Sequence, residues 1–145
     1  MTAAFRLTAP EPLERDIHEA CADALNRLLV CPPAEWACYP AGATTLSAQQ
    51  QARYSRLGLK RGWPDLMICH KGLYGIELKR RGGTLSKTRI ARTRRGSPRI
   101  LLGQVDMFPR LIASGGFKDI AIARSVEEML SHLERWGVPL QGRIR

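Results

Sequence analysis

Two short apolar runs, Leu66-Met67-Ile68-Cys69 and Tyr74-Gly75-Ile76-Glu77-Leu78-Lys79, are separated only by His70-Lys71-Gly72-Leu73. So short a spacer between two strand-like runs predicts a β-hairpin. A hairpin whose centre is known also has a known register. With the turn centred on residue 71, opposed residues sum to 142, and Asp65 falls opposite Glu77. Side chains alternate along a strand, so Glu77 and Lys79 share one face while Ile76 and Leu78 point the other way, toward a core.

That register has a chemical consequence. Two carboxylates held face to face raise each other's pKa unless a cation lies between them. Carboxylate oxygens are hard ligands suited to Mg²⁺ or Mn²⁺, and Mg²⁺ in particular takes few protein groups and keeps waters for a phosphate. Lys79 adds an ammonium that can hold a water and offset charge building on phosphorus. An isolated Glu-x-Lys is most often a solvated strand edge, and an isolated Pro-Asp a turn cap. Here they occur together, with an apolar strand between them and a register that superposes the acids.

The rest of the chain supplies helices and two further strands. Leu13, Ile17, Cys21, Ala24, Leu25 and Leu28 recur at helical spacing until Pro32-Pro33. Trp36 to Tyr39 predicts a short strand broken by Pro40-Ala41-Gly42, and Thr45 or Ser47 caps a second helix running to Leu57 and Gly58. Arg80 to Arg99 carries no regular pattern and predicts a loop. Ile100 to Ser114 resumes helical spacing, with Pro109 marking a kink or a late start. Asp119 to Ala123 predicts a last core strand, and Ser125-Val126-Glu127-Glu128 is a capping box opening a helix to about Trp136. The predicted order is αβαββαβα, with a basic loop insertion at about 80–99, in a single domain spanning 1–145.

Charge points to the partner. Among 145 residues, 23 Lys and Arg against 13 Asp and Glu give a formal +10, which favours a polyanion. Between Leu78 and Val105 the chain has no acid, and it carries Lys79, Arg80, Arg81, Lys87, Arg89, Arg92, Arg94, Arg95 and Arg99. The eight after Lys79 are candidate DNA-backbone contacts, giving affinity without sequence readout. With no interleaved aromatics, a base-stacking platform is not indicated. The cysteines Cys21, Cys31, Cys38 and Cys69 form no C-x-x-C pair, which argues against zinc and predicts reduced, mostly buried thiols. The opening Met1 to Pro10 has no apolar run of signal-peptide length and no stretch approaches a membrane span, so a cytoplasmic protein with no membrane partner is expected.

Pro64-Asp65 followed by Glu77-Leu78-Lys79 resembles the PD-(D/E)xK signature of restriction-endonuclease-like nucleases. The run Gly58 to Leu66, then Gly75 to Lys79, Gly83-Thr84-Leu85-Ser86 and Gln104 resembles the VRR-NUC (virus-type replication-repair nuclease) family. The resemblance implies a restriction-endonuclease-like α/β core, a mixed central β-sheet flanked by helices. It implies a Mg²⁺-dependent endonuclease, active as a homodimer on DNA, with branched or Holliday-junction DNA as substrate and a phage or DNA-repair setting. It assigns the metal to Asp65, Glu77 and the main-chain carbonyl of Leu78, and the attacking water to Lys79. A further carboxylate comes from the first helix, best matched by Glu14, with Glu19 as fallback. Gln104 would steady the lysine, the water or a phosphate oxygen, although Lys87 to Gly103 separates it from Ser86 as an insertion. The competing expectation is a non-catalytic basic protein that keeps such a fold to bind nucleic acid.

Overall fold

The computed structural model describes residues 9–39, 46–92 and 96–142. In chain order the elements are α1 (Glu14–Leu28), β1 (Glu35–Cys38), α2 (Ala48–Arg56), β2 (Leu66–Cys69), β3 (Leu73–Leu78), β4 (Arg89–Ala91), β5 (Arg99–Leu101), α3 (Gln104–Ala113), β6 (Phe117–Ala123) and α4 (Val126–Arg135). Four strands form a mixed sheet in the order β1-β2-β3-β6. The β1-β2 and β2-β3 pairs are antiparallel and the β3-β6 pair is parallel. The parallel pair needs a crossover, and β4, β5 and α3 lie within it.

The helix ends follow from local chemistry. Asp16 accepts the Leu13 N–H at 3.1 Å, and the Ser47 hydroxyl accepts the Gln50 N–H at 3.2 Å. At α4 the Ser125 hydroxyl accepts the Glu128 N–H at 3.1 Å, while the Glu128 carboxylate reaches back to the Arg124 N–H at 2.8 Å. The β2-β3 turn is pinched at Lys71, whose φ of 51° is left-handed, and Gly72 follows it. His70 N–H donates to the Gly72 carbonyl at 2.9 Å, so ladder pairing runs up to the turn.

Alternation along the strands sorts the side chains into two layers. On one face Leu66, Ile68, Ile76, Leu78, Ala121 and Ala123 pack with Ile17, Cys21, Ala24 and Leu25 of α1 and with Met129, Leu130 and Leu133 of α4. Each Leu or Ile buried there stabilises the fold by about 1.5–3 kcal/mol. On the other face Phe108 and Leu111 of α3 pack on Phe117, with Trp63, Met67, Leu73 and Ile120 around them. Glu77 and Gly75 belong to this second face, under α3, by the same alternation.

Three expectations are corrected. The 80–99 segment is not a plain loop: Arg89 to Ala91 pairs antiparallel with Arg99 to Leu101 as a separate two-stranded ribbon. Ile100 consequently belongs to β5, and the helix starts at Gln104, with Pro109 as its sixth residue. The full order is therefore αβαββββαβα rather than αβαββαβα, the two ribbon strands being the addition. Of the cysteines only Cys21 is buried; Cys31, Cys38 and Cys69 are free and exposed, because they sit at the ends of strands and turns. Thr45, Pro40-Ala41-Gly42, Arg94 and Arg95 lie outside the described residues. Among the described residues no helix is long and apolar enough to cross a membrane.

Candidate metal centre

The β2-β3 register runs from Leu66↔Ile76 to Cys69↔Leu73, every pair summing to 142. One step beyond Leu66 this register brings Asp65 opposite Glu77, as the turn position predicts. Asp65 is held from three sides. Its carbonyl accepts the Tyr39 N–H at 2.7 Å, its Oδ2 accepts the Leu78 N–H at 2.8 Å, and the preceding Pro64 is fully buried. Pro64 occupies the notch above Gly75, where a Cβ would lie 2.6 Å from the proline Cγ. The same register sets Pro64 opposite Leu78. Having no N–H, Pro64 leaves the Leu78 carbonyl without a ladder donor from that partner.

Glu77 is 1% exposed. Its Oε1 receives the Lys79 ammonium at 2.7 Å and the Gln104 side-chain amide, whereas its Oε2 is buried with no hydrogen-bond partner among the described residues. A buried carboxylate oxygen left unsatisfied is costly and calls for an explanation. Burial, and then the charge of Asp65, push Glu77 up to about 7. Burial also raises Asp65, against the opposing pull of the Leu78 N–H, of the Lys79 and His18 charges, and of a hydrogen bond to the Glu77 carboxyl that forms when one of the two acids holds a proton. Burial alone would lower Lys79; its hydrogen bond to Glu77 and the charges of Glu77, Glu14 and Asp65 outweigh that and raise it. Lys79 is therefore an ammonium, a donor rather than a free base.

These residues fit a small divalent cation. Asp65 and Glu77 are two hard anionic donors, one with an orphaned oxygen, beside a carbonyl whose ladder partner is a proline. Among the described residues no group of three His, Cys, Asp or Glu side chains clusters as a metal cage. One or two carboxylates with waters completing the shell is the habit of Mg²⁺ rather than Zn²⁺. Glu14, in the first turn of α1, stands 3.8 Å from the Lys79 ammonium and lines the same cleft. Glu19 instead pairs with Arg15 at 3.3 Å, both exposed. The helix carboxylate that comes to the site is Glu14.

Gln104 also comes to the site, but on different partners from those expected. It holds Glu77 through its amide N–H, while its Oε1 accepts the Ser86 N–H at 3.0 Å and its own N–H donates to the Ser86 hydroxyl at 3.0 Å. The insertion thus leaves from Ser86 and returns to Gln104 at one point. Gly103 makes that closure possible: a Cβ there would lie 2.3 Å from the Ser86 carbonyl oxygen.

The cleft over these residues encloses about 360 Å³. None of the described arm residues (Arg80, Arg81, Lys87, Arg89, Arg92, Arg99) lines it. Its cations are Lys79, Lys60 and Arg61, with Gln51 and Ser55 of α2 on the same wall. Lys60 and Arg61 were not singled out in the sequence. Their position depends on Tyr39, whose hydroxyl accepts the Lys60 N–H at 2.8 Å and donates to the Lys60 carbonyl at 3.0 Å, and whose ring stacks on Trp63 at 5.5 Å. The signal in the sequence is their place in the Gly58 to Leu66 run that carries the family resemblance, which gives them no role of their own. No protein-family model, curated protein or solved structure matches the chain.

Proposed function

We propose that this protein is a Mg²⁺-dependent DNA endonuclease of the restriction-endonuclease-like, VRR-NUC type, with Asp65, Glu77 and the Leu78 carbonyl as metal ligands. The observation that carries the reading is Glu77: a buried carboxylate opposite Asp65, with one oxygen on Lys79 and Gln104 and the other without a hydrogen-bond partner among the described residues. A bound Mg²⁺, for which Mn²⁺ could substitute, would supply Lewis acidity at phosphorus and charge neutralisation in the cleft.

The chain's own residues divide the remaining work. The Leu78 N–H orients Asp65, and Gln104 fixes the rotamer of Glu77. The Lys79 ammonium, directed by Glu77 and Glu14, can hold a water in line with a phosphate and stabilise the pentacovalent charge. Lys60 and Arg61 make no ion pair among the described residues and are available to hold phosphate oxygens at the cleft wall. Association as a homodimer, activity on branched DNA and a role in cytoplasmic or phage DNA repair extend the same proposal from the motif resemblance.

The test is cleavage of linear, nicked and four-way-junction DNA by wild type, Asp65→Ala and Lys79→Ala, with Mg²⁺ and with EDTA. Metal-dependent cutting by wild type alone is expected. Cutting that survives both substitutions removes this site. Binding without cutting under Mg²⁺ or Mn²⁺ leaves a non-catalytic nucleic-acid-binding protein.

A further inference from the structure

The β4-β5 ribbon presents a strongly exposed apolar pair. Ile90 and Ile100 are direct cross-strand partners on one face, and they are 66% and 69% exposed. The opposite face carries Arg89 beside Leu101 and Arg99 beside Ala91. Two strands of three residues cannot hold a hairpin together in water by themselves. This one is fastened at its root instead: Thr88 takes the Gly103 N–H at 3.0 Å and donates to Asp106, and the Val105 N–H reaches the Ser86 carbonyl at 3.2 Å. The root is thus ordered by α3 and the loop before it, while the isoleucine face is left to solvent.

Charge decides what fits that face. The chain between Leu78 and Val105 has nine cations and no acid, so a second copy of the ribbon would bring like charges together, whereas a polyanion would be attracted. A two-stranded ribbon has the width of a duplex groove, and isoleucine is among the side chains that wedge between base steps. We propose that the β4-β5 ribbon is a DNA-distorting element: Ile90 and Ile100 press into the base stack, while the long side chains of Arg89 and Arg99, rooted on the other face, reach round the edges of the narrow ribbon to the flanking phosphates. Unstacking costs least where bases are already unpaired or poorly stacked, so the ribbon favours nicks and branch points over continuous duplex. The inference rests on DNA as the partner in the nuclease reading, but not on cleavage.

The test uses the full chain without divalent metal, and DNA carrying 2-aminopurine beside a nick or at a four-way junction, with continuous duplex as control. Wild type is expected to bind and to raise 2-aminopurine fluorescence most on the nicked and branched DNA. Ile90→Thr/Ile100→Thr keeps β-branched side chains at exposed positions, so the ribbon is retained. It should bind branched DNA about tenfold more weakly, lose the fluorescence rise and keep the salt slope. Arg89→Gln/Arg99→Gln should reduce the slope of log K against log salt by about 1.8. Wild-type binding and fluorescence in the threonine variant overturn the wedge. So does a threonine variant that sediments as a smaller species and loses affinity only through that dissociation, since the face would then belong to a second copy. Cleavage by the same preparations with Mg²⁺ separates the two readings. A wild type that binds and unstacks but never cuts defeats the nuclease and leaves the ribbon; one that cuts while the threonine variant binds normally does the reverse.

Discussion

The two hairpins of this molecule are built alike and situated differently. In β2-β3 both faces are covered, one by α1 and α4 and the other by α3, and Asp65, Glu77 and Lys79 are each held by a neighbour. In β4-β5 the hold among the described residues is at the root, and the isoleucine face is exposed. The first can keep a carboxylate buried with one oxygen unsatisfied, because the surrounding packing prevents relaxation. The second has few contacts to lose and can change shape on a partner. On the proposed function, rigid chemistry and adaptable binding would be separated along the chain by fewer than a dozen residues, from Leu78 to Arg89.

The largest expected effect lies in the covered hairpin. Asp65→Ala and Lys79→Ala should each lower the single-turnover cleavage rate by at least about 10²–10³-fold, with binding to branched DNA unchanged in EDTA. If either substitution weakens binding as strongly as it weakens cutting, chemistry and grip are not separate.

Metal and pH come next. Glu77, held up at about 7 by burial and by Asp65, keeps its proton more tightly in the folded chain than in the unfolded one. Its contribution to metal-free stability is therefore complete at acid pH, below its unfolded value, and is lost as pH rises through about 7. A divalent cation competes with that proton. At a Mg²⁺ concentration 100 times its Kd at pH 8, the rise in Tm should be roughly 5–10 °C, and about half as large at pH 6. An equal rise at both values would place Mg²⁺ away from Glu77.

Each hairpin also leans on one glycine. Gly75→Ala should destabilise the fold by about 1–3 kcal/mol, measured by urea unfolding, because its methyl must displace the buried Pro64. Gly103→Ala presses on the Ser86 carbonyl instead, and should slow cleavage by loosening Gln104 from Glu77 more than it lowers Tm. The reverse ranking would mean that the ribbon root contributes more to stability than the sheet. The smallest effect is expected from Ile90→Thr, which should change urea stability by no more than about 0.5 kcal/mol.

The covered hairpin was readable because its information is local. Lys71-Gly72 centres the turn, alternation sets the faces, and the register of Asp65 on Glu77 follows from the two together. The ribbon was not readable. Its strands are three residues long, and Ile100 falls into helical phase with the α3 residues that follow it. Pro109 was compatible with an interior position once the helix began at Gln104. Lys60 and Arg61 reached the cleft through the grip of Tyr39, a contact across 21 positions that no local pattern reports. Gln104 lies beside Glu77, and its hold on Ser86 depends on an insertion that closes on itself, which no local pattern reports.

That closure has a consequence for how such a protein can change. Because the chain leaves at Ser86 and comes back at Gln104, the intervening stretch behaves as a plug-in cartridge. It can be trimmed, lengthened or traded for another sequence while the sheet below keeps its geometry, provided a small residue returns the chain at the junction. A designer could therefore vary the ribbon this scaffold carries and leave the carboxylate pair untouched.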